Sequence, residues 1–249
     1  MKRLSKYVLF SFLLLIPSYI FAEELLSEEV KYFKTYEYVM DSTIMQDNTD
    51  TILSETVEIT EEEFNSASVD EEFQTRDTVQ VNTNYKRMTT RLYANGLYYR
   101  YEVNLFWKKF PAKRSYDIIG IGFYSSVKPT GTISFQQEAC TSSTNCTFYN
   151  TNYPQTFNMG VGTSFKLPTT TSLTLLQQTL AFNVTKVDPN STIINQRAAG
   201  DYAHATSNIS LANSKKYTLN YSYGLSLDSS ITSYYDTISA AIAAWSGTW

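Results

Sequence analysis

Apolar residues recur at every second position through much of the chain, which is the period of a half-buried strand. The clearest run is Leu97, Tyr99, Tyr101, Val103, Leu105 and Trp107. It follows Asn95-Gly96, a dipeptide suited to the positive φ angles of a tight hairpin. The pattern predicts a hairpin from Tyr85 to Trp107 with Asn95-Gly96 as its loop. Leu92 would then face Tyr99, Met88 would face Val103 and Arg91 would face Arg100, with Glu102 diagonal to Arg91. Ser115 to Val127 reads as the next strand. Its glycines, Gly120 and Gly122, lie opposite Ile119, Ile121 and Phe123 and would let another layer approach or mark a bulge. Further strands are expected at Gly131–Cys140, at Phe157–Leu167 and near Thr192–Ala198. Leu173 to Val184 changes phase at Leu176-Gln177-Gln178, which predicts a bulge or a tight bend there. Asp188 to Ser191 has turn chemistry. Tyr217 to Leu227 alternates without a break and predicts one strand.

Two stretches follow a helical period instead. Tyr234, Ile238, Ala241, Ile242 and Trp245 predict a short C-terminal helix, and Leu26, Val30, Phe33 and Met40 an amphipathic one over Glu24–Met40. The fold expected is all-β, an antiparallel β-sandwich ending in a short helix.

At the N-terminus, Lys2, Arg3 and Lys6 precede an uncharged apolar run, Tyr7 to Phe21, that ends at Ala22. Charge, apolar run and small residue are the parts of a secretory signal, with cleavage expected after Ala22. The run is shorter than the roughly 20 residues a spanning helix needs. Residues 1–22 are therefore read as a signal peptide, residues 23–80 as an acidic arm or propeptide, and residues 81–249 as the sandwich body. Charge marks the second boundary. Residues 23–80 hold 17 acidic and 3 basic side chains, whereas residues 81–249 hold 7 acidic and 14 basic. Glu61-Glu62-Glu63 and Asp70-Glu71-Glu72 make the arm's charge runs, which suit a solvated, partly disordered or helical segment.

The export route favours oxidised thiols, so Cys140 and Cys146 are expected to form a disulfide across a polar loop. Chain entropy assigns about 2.4 kcal/mol to so short a closure. Two cysteines and a lone histidine do not make a four-ligand structural zinc site.

The segment from Trp107 to Gly120 (WKKFPAKRSYDIIG) resembles a segment of exported, uncharacterised proteins of Gram-positive bacteria. The resemblance covers that segment alone. It implies export and assigns no activity.

Catalytic chemistry finds little support. His204 is the single histidine, and no Gly-x-Ser-x-Gly elbow offers it a nucleophile. In an extended strand Asp201 points away from His204. The body's carboxylates are Glu102, Asp117, Glu138, Asp188, Asp201, Asp228 and Asp236, and spacing alone brings no pair of them together. No cofactor fingerprint occurs, and no nucleic-acid partner is expected. The basic loop of Lys108, Lys109, Lys113 and Arg114 is the candidate binding site, for anionic polymer or lipid headgroups. Exposed tyrosines could stack on sugar rings.

The reading is a secreted, non-enzymatic module that binds a cell-wall polymer, a glycan or another surface partner. The alternative is a membrane-active toxin or bacteriocin-like protein, masked by its acidic propeptide and acting on an anionic membrane. Oligomeric state is not encoded in any of these patterns.

Overall fold

In a computed structural model of the chain, two antiparallel sheets pack face to face. The structure describes residues 23–40, 52–67, 74–76, 79–96, 98–149, 153–170, 172–220, 222 and 224–249. The expected signal peptide and its cleavage point at Ala22 lie outside these residues, as do the Asp70-Glu71-Glu72 run and much of the acidic segment around it. Among the described residues, no helix is long and apolar enough to cross a membrane.

The larger sheet orders its strands β2 (Leu53–Ile59), β1 (Glu24–Met40), β4 (Val79–Asn95), β5 (Tyr98–Lys109), β11 (Leu175–Lys186), β7 (Val127–Ser142) and β8 (Asn145–Tyr149), with β3 (Gln74–Arg76) also paired to β4. The smaller sheet runs β15 (Tyr235–Ser246), β12 (Asn195–Ala205), β6 (Tyr116–Phe123), β10 (Gly160–Lys166) and β9 (Tyr153–Phe157). A separate hairpin, β13 (Tyr217–Asn220) and β14 (Gly224–Leu227), covers the outer face of the smaller sheet. A short helix, α1 (Glu61–Ser66), begins at Thr60, whose hydroxyl accepts from the Glu63 amide and caps the first turn.

Alternation explains how two cores arise. Along β6, Ile119, Ile121 and Phe123 face the larger sheet and join Met88, Leu92, Val103, Leu105 and Trp107 in the main core. Ile118 and, on β12, Ala203 and Ala205 face the other way and pack with Tyr217, Leu219 and Ile231 beneath the hairpin. The close approach expected at Gly120 is present. A Cβ there would sit 2.5 Å from a Leu219 methyl carbon, and one on Gly162 would sit 2.7 Å from it.

Several expected elements take another form. Glu24–Met40 is a strand rather than a helix or a disordered arm, and it pairs with β4 from Glu24 to Met40. Its inward positions include Phe33, Thr35 and Glu37. Two of these three are polar, so the strand period does not show in hydrophobicity. The C-terminal segment is strand β15, bonded along β12. Ala-rich helix propensity is a weak preference that sheet pairing overrides. Small residues suit this place, since Ala198 faces Ala243 and Gly200 faces Ala241 where the sheets press together.

Turns account for the remaining differences. Leu92 faces Tyr101 and Met88 faces Leu105, because Asn95 joins the ladder opposite Tyr98 instead of standing in the loop. The shift of two keeps every side chain on its expected face. It also sets Arg91 opposite Glu102, which it pairs at 3.0 Å, and removes the like-charge contact with Arg100. Phe157–Leu167 is folded into a hairpin at residues 158–159, with Phe157 opposite Gly160. Tyr217–Leu227 is also a hairpin, turned by Gly224 at φ +65°. The irregularity in β11 falls between Ala181 and Asn183 rather than at Leu176.

Sheet contact is tightest at Gly200, where a Cβ would meet the Thr90 hydroxyl oxygen at 2.1 Å and a Val103 methyl carbon at 2.8 Å. Gly200→Val is expected to lower stability by about 3 kcal/mol, the upper part of the overpacking range. Thermal unfolding of this variant beside Phe148→Ser, a change at a half-exposed position, measures it. Equal midpoints would contradict the packing described.

Candidate functional site

The buried face of β1 carries Thr35 and Glu37, and that of β4 carries Asn82, Asn84 and Lys86. Opposite them, the smaller sheet presents Asp117 from β6, Tyr202 and His204 from β12 and Asp236 from β15. These groups meet between the sheets, beside Trp107.

His204 is fully buried and held from both sides. Its Nδ1 lies 3.0 Å from Asp117 Oδ2, and its Nε2 lies 3.4 Å from Glu37 Oε1. Burial alone would lower its pKa, but the carboxylates of Asp117 and Glu37 outweigh that and hold it at about 9. An imidazolium therefore bridges the two sheets. Asp117 also accepts from the Tyr202 hydroxyl and, at 2.9 Å, from the Ala205 amide. Burial disfavours the Glu37 carboxylate, yet its pKa is lowered by His204, by the Ala112 amide at 2.7 Å and by the Asn82 side-chain amide at 2.6 Å.

Lys86 lies opposite Phe33 on one side and near Trp107 on the other. Its Nζ sits 5.0 Å from the Trp107 ring centroid and 3.8 Å from Asp236 Oδ2. That distance is too long for a hydrogen bond, and Nζ has no other hydrogen-bond partner among the described residues. Burial pulls the Lys86 pKa down, with the carboxylates of Asp236, Glu37 and Asp117 opposing. Asp236 accepts from the Thr56 hydroxyl, which in turn lies 2.6 Å from that of Thr35. Both polar side-chain atoms of Asn84 are buried without a hydrogen-bond partner among the described residues.

Of the residues considered for chemistry from sequence, three meet here: His204, Asp117 and Asp236. Lys86 and Glu37 were not among them. The others lie elsewhere. Glu102 pairs with Arg91 and Arg100, and Asp188 caps its turn by accepting from the Asn190 amide. Asp201 faces the hairpin at Gly224, where burial pushes its pKa up to about 7 against a hydrogen bond from the Leu225 amide. Glu138 lies beside Cys140, which is joined to Cys146 as expected.

The four cations of the basic loop have different surroundings. Lys108 Nζ donates to the carbonyls of Phe64 and Asn65 at 2.6 and 2.8 Å, closing the end of α1. Arg114 donates to the carbonyls of Pro168 and Thr170 and stacks near Phe110. Lys109 and Lys113 are half-buried beside them.

Arg114 thereby fixes one wall of an open cleft of about 340 Å³. Tyr116, Tyr149 and Tyr153 line it together with Gln137, Lys166 and the segment Leu167–Thr170. Gln137 donates to the Lys166 carbonyl at 3.1 Å and accepts from Gln178 at 3.1 Å, so its amide is fixed. Tyr149 sits on β8, which the disulfide ties to β7 at Cys140–Cys146. The sequence offered a signal for the tyrosines only as a class.

His204 supplies a pH test. Its folded pKa is raised above the ordinary 6.5, so its contribution is complete below pH 6.5 and is lost as pH rises through about 9. His204→Gln is expected to cost about 3–5 kcal/mol at pH 6, as removal of one buried ion-pair partner does. Urea unfolding at a series of pH values should show the gap between wild type and variant closing toward pH 9. A gap independent of pH would contradict the charged bridge. Asp201 acts in a lower window. Its folded pKa exceeds the ordinary 3.8, so stability falls as pH rises from there to about 7, and Asp201→Asn should flatten that slope.

No family model matches the chain, and no characterised protein matches it in sequence. Three solved structures are similar to it in part. The collagen binding domain of Erysipelothrix rhusiopathiae surface protein RspB is 6% identical, with a TM-score of 0.27 over 69% of this chain and 71% of that one. The N-terminal domain of the Streptococcus gordonii adhesin Sgo0707 is 8% identical, with a TM-score of 0.34 over 89% of this chain and 56% of that one. The T6 backbone pilin of serotype M6 Streptococcus pyogenes is 8% identical, with a TM-score of 0.33 over 88% of this chain and 63% of that one.

Proposed function

We propose that the protein is an extracellular binding module that takes a neutral or weakly acidic glycan in the cleft between β6, β8 and β9. The observation that carries this reading is the convergence of Tyr116, Tyr149 and Tyr153 on one open cleft with Gln137 and Lys166. Aromatic faces offer apolar area to the C–H face of a sugar ring at low conformational cost. The exposed Lys166 ammonium supplies a directional contact to hydroxyls or a carboxylate, and the buried Gln137 amide anchors the Lys166 backbone behind it.

The cations of the basic loop belong to this reading as supports and rim. Arg114 holds the wall at Pro168 and Thr170, and Lys113 stands next to it. The export reading of residues 1–22 supports an extracellular site of action. So does the Cys140–Cys146 disulfide, since such bonds persist outside the reducing cytosol. Nothing specific favours the masked-toxin alternative. Residues 24–40 and 53–59 are paired strands of the larger sheet, and Glu37 is inside the core.

Binding to purified cell wall, chitin, cellulose and acidic polysaccharides tests the proposal, with the full-length secreted protein and Tyr116→Ala, Tyr153→Ala and Tyr98→Ala variants. Loss of Tyr116 or Tyr153 is expected to weaken retention about tenfold, as loss of a stacking anchor does. Tyr98, partly exposed on another strand, should be neutral. Retention absent from every polymer, or equally reduced in all three variants, would count against the cleft.

A further inference from the structure

The geometry points to a covalent amide between Lys86 Nζ and Asp236 Cγ, formed by the folded protein itself and joining the two sheets. Four observations carry it. Lys86 is 0% exposed, although lysine is among the residues least often fully buried. Among the described residues its Nζ finds no hydrogen-bond partner, yet it lies 3.8 Å from Asp236 Oδ2 on the facing sheet. Trp107 and Tyr202 stand about its ammonium position, with ring centroids 5.0 and 6.0 Å away. Asp236 is aimed by the Thr56 hydroxyl, and its side chain is 12% exposed.

An isolated ion pair fits these facts poorly. Two charges withdrawn from water need close contact and further hydrogen bonds to repay their desolvation. Lys86 has neither. Transfer of one proton from the ammonium to the carboxylate leaves a neutral amine beside a carboxylic acid, the pair that a low dielectric favours. That amine is a nucleophile held against a carbonyl carbon.

The step balances without a further reagent. The Nζ lone pair attacks Asp236 Cγ and forms the C–N bond. The C–O bond to the hydroxyl oxygen then breaks. That oxygen keeps its own proton, takes one from Nζ and departs as water. The product is a secondary amide, Nζ–H to C=O, with no charge on either side chain. Thr56 polarises the carboxyl oxygen it donates to. Glu37 and Asp117 are the other carboxylates whose charges act on Lys86. The exposed edge of Asp236 gives the water an exit.

The amide would link β4 of the larger sheet to β15 of the smaller one, so the sandwich could not open by parting its faces. This inference is independent of the glycan reading, which concerns a different part of the surface.

Tryptic mapping of the full-length protein, after reduction and alkylation, tests it. Trypsin should fail to cut after Lys86. The segment Asp77–Arg87 should run joined to Tyr217–Trp249, at their summed mass less one water (about 18 Da). The same digest of Asp236→Ala should give the two segments separately, with cleavage restored after Lys86. Because the readout is the mass of wild-type peptides, the test stands even if that variant folds poorly. Recovery of the unlinked segments from the wild-type protein as the main species would overturn the proposal and leave Lys86 and Asp236 as an ion pair.

Discussion

Burial of ionisable side chains between the two sheets is the constraint that the rest of the fold satisfies. Glu37, Lys86, Asp117, His204 and Asp236 come from five strands, two in the larger sheet and three in the smaller. Each is tolerable only because the others are present. Remove His204 and two carboxylates face each other in a medium that cannot solvate them. Pair it, and its raised pKa keeps an imidazolium where a neutral ring would be expected. The neighbouring apolar core could be repacked in many ways at modest cost. The polar cluster allows far fewer arrangements.

That restriction acts on register. Side chains alternate along a strand, so a slip of one residue in β1 would turn Glu37 outward and leave His204 half-paired. The same slip in β4 would expose Lys86 and bury Arg87. Such slips are otherwise weakly opposed in β1, where Thr35 and Glu37 give the inward face little hydrophobic identity. A buried polar network does not have to add net stability to be useful. Here it distinguishes the observed pairing of β1, β4, β12 and β15 from its neighbours in register.

The same feature explains what could be read in the sequence. β5 and β6 were legible because their inward positions are apolar: Tyr101, Val103, Leu105 and Trp107 on one, Ile119, Ile121 and Phe123 on the other. β1 was not, because hydrophobicity at Leu26, Val30, Phe33 and Met40 follows a helical spacing while its inward polar residues are silent. β15 carries a helical pattern for a related reason, as small residues demanded by close sheet contact also favour a helix. Two long alternating runs, Phe157–Leu167 and Tyr217–Leu227, hid turns because each hairpin preserves the period on both sides. At the site, His204 was visible as a lone histidine, but its partners lie far away in sequence. Lys86 did leave a trace. It is in phase with Met88 and Leu92, on the apolar face of its strand, where a lysine has no ordinary reason to be.

The charged interior and the tyrosine cleft are joined by alternation. On β6, Tyr116 lines the cleft while Asp117, the next residue, binds His204 within the core. On β10, Lys166 lines the cleft while Phe165 packs inside. Gln137 reaches the cleft from β7 with its amide already committed to Lys166 and Gln178. A surface site gains affinity when its groups are ordered before the ligand arrives, since that ordering is not charged against binding. The cleft's strands are ordered by what lies behind them. Interactions that hold β6 against β12 and the larger sheet, from the His204 bridge outward, therefore set how rigidly Tyr116 is presented, even though none of them touches the cleft. The disulfide completes this from the other side by fixing β8, and with it Tyr149, against β7.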